Sequence, residues 1–157
     1  MHTRHALVLF TAVAFAAACE KKPAAQAEPA PAVTAPATLH ERLGGTAAIA
    51  SVVDAFVANV AADKRINKYF ARVAGDTAAM RQFKQKMVDQ ICEGTGGPCK
   101  YTGLDMKAAH MGMGVTNEAF DALVEDLVKA LDGLGVPAKE KGELLAILGP
   151  MRADMVK

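Results

Sequence analysis

Apolar residues recur at helical spacing in four stretches of the chain. Over 46–62, Ile49, Val53, Phe56 and Val60 fall three or four residues apart, with Thr46 after Gly44-Gly45 as the start. Over 77–93 the same spacing is kept by Met80, Phe83, Met87 and Ile91. Phe120, Leu123, Val124, Leu127, Val128 and Leu131 make an unbroken stripe that Gly133 and Gly135 end, and Pro137 starts a last helix carrying Leu144, Leu145, Leu148 and Met151. Pro150 is expected to kink that helix. No run alternates apolar and polar residues for long enough to propose a strand, so the predicted class is all-α, with a further short helix over 105–110 that carries His110.

The N-terminus does not share this pattern. Arg4 precedes an apolar run from Ala6 to Ala18, too short to span a bilayer, which reads as a signal peptide over 1–18. Ala16-Ala17-Ala18 followed by Cys19 resembles the lipobox of bacterial lipoproteins, whose cysteine is lipidated and becomes the mature N-terminus. Most lipoboxes have leucine where this chain has Ala16, so ordinary signal cleavage nearby stays open. Glu20 is not the aspartate that favours inner-membrane retention, and the resemblance therefore implies export to the periplasm with a lipid anchor in the outer membrane. Glu20 to Pro36 is built of Ala, Pro and Gln with few large apolar groups and is expected to be a semi-extended tether. The division is thus 1–18 leader, 19–38 lipidated cysteine and linker, and 39–157 a single domain of one core.

Removing the leader takes one of the 18 basic residues, Arg4, and none of the 17 acidic ones, so the mature chain is formally neutral. That leaves no electrostatic footprint for nucleic acid and no polybasic patch for a membrane surface; contact with a membrane would come through lipid. Beyond Cys19 there remain Cys92 and Cys99, which either pair as a disulfide in an oxidising compartment or stay reduced and buried. They form no Cys-x-x-Cys-His motif, and no further Cys or His completes a zinc set. His2 and His5 lie in the leader, leaving His40 and His110. On an apolar, methionine-rich helix without a nearby carboxylate pair, His110 is either a satisfied core histidine or a ligand to a haem iron.

From Leu39 onward the chain resembles the truncated haemoglobins of group I. The resemblance rests on Leu39-His40-Glu41-Arg42-Leu43-Gly44-Gly45, Tyr69-Phe70, Gly96-Gly97-Pro98, Tyr101-Thr102-Gly103 and Met106-Lys107-Ala108-Ala109-His110. It implies a two-over-two helical sandwich holding haem b, with His110 as proximal ligand and dioxygen, nitric oxide or carbon monoxide as the gas bound. Phe70 matches the phenylalanine stacked on the porphyrin, Met106, Met113, Val115 and Phe120 would complete the proximal wall, and Lys107 would reach a propionate or remain a solvated charge. Lys100 and Tyr101 fall where the family brings a loop to the haem edge, although a half-buried tyrosine holding that loop is an equal reading.

On the distal side the chain departs from the family. Group I members commonly place a tyrosine directly after the phenylalanine matching Phe56, and here that residue is Val57. Phe83 and Met87 match the positions over the iron, where other members often have glutamine in the place of Met87. The polar residues left to donate to a bound gas are Lys86 and Gln90; some relatives use a lysine matching Lys86 as a sixth ligand, and its plainer reading is a packed stem with the charge in water. The expected function is therefore gas binding at one haem, with slow turnover of nitric oxide or peroxide left open and no dedicated catalytic acid/base pair. A six-coordinate electron-transfer protein, with Lys86 on the iron and an unknown electron donor, is the alternative; a cofactor-free helical lipoprotein is a third.

Overall fold

The computed structural model describes residues 36–157. The leader, Cys19 and most of the linker lie outside these residues. Thr38 already belongs to the folded domain: its hydroxyl accepts from the Glu41 amide while Glu41 returns a bond to the Thr38 amide, a reciprocal cap that starts α1 (Leu39–Arg42). The predicted helices follow as α2 (Gly45–Ala62), α4 (Thr77–Gly94), the short α5 (Met106–His110), α6 (Asn117–Gly133) and α7 (Ala138–Leu148). Asp76, Asp105 and Thr116 cap α4, α5 and α6 by accepting from amides of their first turns.

Three short elements were not legible in the apolar pattern: a 3₁₀ turn at Asn67–Phe70, α3 (Ala71–Ala74) and a terminal α8 (Arg152–Met155). Pro150 does not kink a continuous helix. The segment Gly149–Met151 tightens into a 3₁₀ turn and α8 sets off anew, because a proline ring cannot continue the α-helical hydrogen-bond ladder. Among the described residues the one β-type pairing is an isolated bridge between Val115 and Val156.

Helix α2 is central. It has the length and hydropathy of a membrane span, yet Ile49, Val52, Val53, Phe56, Val57 and Val60 are buried, and the helix packs against both α4 and α6. Gly44 and Gly45 permit the abrupt turn from α1, both at positive φ, and a β-carbon on Gly44 would come within 2.9 Å of that of Ala48. Leu131 on α6 and Leu144 on α7 are almost wholly enclosed. Arg42 ties α1 to α7 through Glu140, at 3.0 Å, and Glu143. The C-terminus turns back on the α5 side, where the Lys157 amide donates to the Val115 carbonyl at 3.1 Å and α8 packs against α5. Helices α2, α4, α5, α6 and the terminal segment thereby surround a space their own side chains do not fill.

Candidate functional site

That space is a cavity of about 560 Å³, within the ~300–1,000 Å³ usual for cofactor and small-molecule sites. Its wall is mainly apolar. Val52, Val53 and Phe56 face it from α2, Phe83, Met87 and Ile91 from α4, and Phe120, Leu123 and Leu127 from α6. Phe70, at the end of the 3₁₀ turn, meets Phe83 edge to face with ring centroids 5.7 Å apart.

His110 enters from α5, part-buried. Its Nδ1 lies 2.8 Å from the Met106 carbonyl oxygen, one helical turn back. A carbonyl oxygen can only accept, so Nδ1 carries a proton, and in the neutral ring Nε2 keeps its lone pair. This tautomer is the form in which imidazole binds a metal, and a backbone acceptor on the other nitrogen fixes the ring's direction. Since Met106, Ala109 and His110 line the cavity, α5 turns that face inward.

The structure brings together Phe70, Phe83, Lys86, Met87, Gln90, Tyr101, Met106, His110 and Val115 around this one space, and Met113 and Phe120 with them. Three expected residues are elsewhere, the first being Lys100, which is exposed and paired with Glu93. Lys107 is exposed and does not line the cavity, because one residue beyond Met106 the helix has turned by about 100° and carries it to the solvent side. Val57 is buried in the core rather than in the cavity wall; the wall is supplied one residue earlier, by Phe56, and Val57 is too short to reach around it.

Polar groups are confined to a few places. Lys86 is exposed at the edge of the cavity and makes no ion pair among the described residues. Gln90 does not offer its amide to the open space: Nε2 points at the sulfurs of Met106 and Met151, 3.5 Å from each. Tyr101 donates its hydroxyl to the Leu104 carbonyl at 2.7 Å, which settles it as a loop brace that also touches the cavity, with its own ionisation pushed upward by burial. The sequence reading missed Tyr69, Arg72 and the terminal segment, from which Met151, Arg152 and Met155 complete the wall. Arg152 lies over the Phe120 ring at 4.4 Å and pairs with Asp121. Nothing in the apolar spacing announces that the C-terminus folds back, since the bridge from Val115 to Val156 is long-range.

The family model for bacterial-like globins matches residues 38–157. A group 1 truncated haemoglobin of Tetrahymena thermophila is 38% identical over 117 residues, covering 74% of this chain and 93% of the relative. The chain belongs to the group 1 truncated haemoglobins. Another such protein, from Mycolicibacterium paratuberculosis, is 32% identical over 76% of this chain and 85% of its own length. Among solved structures, the 2/2 haemoglobin of Synechococcus in the cyanomet state with covalently attached haem superposes with a TM-score of 0.69 at 34% identity, over 76% of this chain and 98% of that one.

The architecture of this globin is accordingly the two-over-two helical sandwich, and the cavity lies within it. The donor set fits a flat apolar cofactor with one axial nitrogen: a single imidazole with a fixed tautomer, aromatic and thioether walls, and cations at the edge. Among the described residues no group of three His, Cys, Asp or Glu side chains comes together.

Proposed function

We propose that this globin holds one haem b in the cavity, with His110 as proximal iron ligand, and binds a diatomic gas, dioxygen first, on the periplasmic side of a bacterial membrane. The observation that carries the reading is the His110 tautomer, fixed by the Met106 carbonyl beside an apolar cavity. Haem bound there supplies an iron that takes a small gas reversibly. The chain's part is to bind and shield. Phe70 and Phe83 present aromatic rings to a porphyrin, Phe56, Phe83 and Met87 exclude water, and the cations of Lys86 and Arg72 at the edge would meet its propionates.

No tyrosine hydroxyl comes from α2, and Gln90 is engaged by sulfur, so a bound gas gets little hydrogen bonding from these walls. Dioxygen, which gains negative charge when bound, depends on such a donor more than carbon monoxide does, and nitric oxide dioxygenation needs the same support. The expectation is fast dioxygen release and a relative preference for carbon monoxide and nitric oxide. The test is haem reconstitution followed by ligand titration. A ferrous spectrum that is five-coordinate and shifts with each gas supports the reading; a folded chain that takes up no haem overturns it.

Lys86 favours a second reading, because it touches the cavity while making no ion pair among the described residues. If its amine coordinates iron, the ferrous form is six-coordinate without added ligand, and Lys86→Ala converts it to five-coordinate. Export with a lipid on Cys19 is tested by fatty-acid labelling in a bacterial host: label on the full chain, and none on Cys19→Ala, supports it.

A further inference from the structure

At the C-terminal end of α4 the structure gathers a second set of reactive groups, outside the cavity wall. Cys92 and Cys99 are bonded to each other. Cys92 is fully enclosed, whereas Cys99 is partly open to solvent. The Thr46 hydroxyl, at the start of α2, stands 3.6 Å from the Cys92 sulfur and 3.7 Å from that of Cys99. Behind it, His40 Nε2 is 3.0 Å from the same hydroxyl. The Cys99 amide donates to the Cys92 sulfur at 3.3 Å.

Gly97 makes this assembly possible. A β-carbon there would lie 2.5 Å from His40 Cδ2 and 2.7 Å from the Cys92 sulfur, so a side chain at 97 would drive the imidazole and the sulfurs apart. The sulfurs thus have a hydroxyl within 3.7 Å and an imidazole behind it, where apolar packing would have sufficed to brace the fold.

We propose that Cys92–Cys99 is a thiol–disulfide exchange site for a partner dithiol, with Cys99 the sulfur attacked and Cys92 the leaving thiolate. Accessibility sets the direction, because an incoming thiolate can reach Cys99 and not Cys92. When the partner's thiolate forms a bond to the Cys99 sulfur, the Cys92–Cys99 bond breaks and its electron pair departs on Cys92. There the Thr46 hydroxyl turns its proton to the new thiolate while accepting from His40 Nε2–H, and the Cys99 amide adds a second donor. Stabilising the departing sulfur speeds its release. The partner's second thiolate then attacks its own half of the mixed disulfide and frees Cys99. Two electrons pass from the dithiol, which becomes a disulfide, and its two protons end on Cys92 and Cys99.

Exchange at this site bears on the cavity through the chain that follows. The bridge ties the end of α4 to the loop that carries Tyr101 to the cavity wall. Once it opens, that loop is held to α4 by Glu93, which accepts from the Tyr101 amide at 2.9 Å and pairs with Lys100. The reduced protein therefore has a looser wall on the Tyr101 side. This inference stands independently of whether the cavity holds haem.

The experiment uses the full chain and a small probe, dithiothreitol, with glutathione as a monothiol to trap the first step. Expected are complete reduction without denaturant, a glutathione adduct mapped to Cys99, and faster amide exchange over residues 100–104 after reduction. Thr46→Val, which removes the hydroxyl and keeps the shape, should slow reduction about tenfold, and Thr46→Ser should restore most of the rate. Circular dichroism of each variant confirms that it is folded; if Thr46→Val fails this check, the adduct site and the exchange data on the unaltered chain decide alone. Resistance to dithiothreitol until the chain unfolds, an adduct on Cys92, a Thr46→Val rate within twofold of the unaltered chain, or exchange over 100–104 unchanged by reduction each overturns the proposal.

Discussion

Helix α4 has two ends of different character. Toward its C-terminus Ile91, Cys92 and Thr95 are nearly or wholly enclosed, and the Thr95 hydroxyl and amide both bond to carbonyls of the last turn. Two turns earlier Phe83 and Met87 are only half-buried and Lys86 is exposed, although the same helix supports them. The chain completes its packing with its own atoms at one end and leaves space at the other. An apolar space the protein does not fill carries no stabilisation until something enters it, and binding then adds to the stability of the fold.

The largest effect should come from removing the group that holds the occupant. His110→Ala is expected to abolish stoichiometric haem uptake by a chain that still folds, because His40 is committed to Thr46 at the far end of α4. A Soret titration of the variant measures this, with the unaltered chain alongside. Wild-type affinity with an unchanged proximal spectrum would remove His110 from the site and break the contrast, since the open end would then bind haem through some other group.

Packing gives the second test. Leu131 has no exposed surface, and Leu131→Ala should cost ~2–5 kcal/mol by urea unfolding of the haem-free chain. Met87→Ala should cost a fraction of that under the same conditions, because its side chain borders space already empty. Equal losses would mean that the cavity end is as tightly packed in solution as the closed end. With haem added the gap should narrow, as Met87 gains a partner and Leu131 does not.

These contrasts were partly readable from sequence. Periodicity located α2, α4, α6 and α7 because each buries one apolar stripe, and it placed His110 beside Met106 on a short helix whose Asp105 cap is local. What it lacked were relations between distant segments. Val57 was expected in the ligand pocket, at the place of the family's tyrosine, and only packing shows that Phe56 fills the wall and the valine the core. Gln90 read as a free donor until Met106 and Met151 were seen to meet its amide. Arg72 and Arg152 carry no pattern that separates them from other surface cations.

The third effect is smaller and concerns the closed end. Cys92 and Cys99 are 7 residues apart, and a loop so short restricts the unfolded chain less than the ~3 kcal/mol expected for a fifteen-residue loop. Replacing both cysteines with serine should therefore lower the unfolding free energy by less than that, leaving the helix content unchanged by circular dichroism. A loss that unfolded the domain would show that the bridge sets the fold instead of bracing one corner.

The smallest expected effect is a gain, at a buried acidic residue of α6 whose backbone carbonyl accepts from Asn59 near the C-terminal end of α2. Asp126 on α6 is 6% exposed and its Oδ2 has no hydrogen-bond partner among the described residues. Desolvation first, and then the nearby Asp63 charge, push its carboxyl above the usual range. A raised value means the folded chain binds this proton more tightly than the unfolded one, so the protonated acid is the stable partner. Its contribution is fully favourable below the unfolded value of ~3.9 and is lost as pH rises from there through the folded value. Asp126→Asn keeps the shape and cannot ionise. It should unfold at higher urea than the unaltered chain at pH 7, and the difference should shrink as the pH falls through the raised folded value and the carboxyl takes up its proton. A variant weaker than the unaltered chain at pH 7, by an amount that does not change with pH, would mean that the Asp126 carboxylate has a partner in solution.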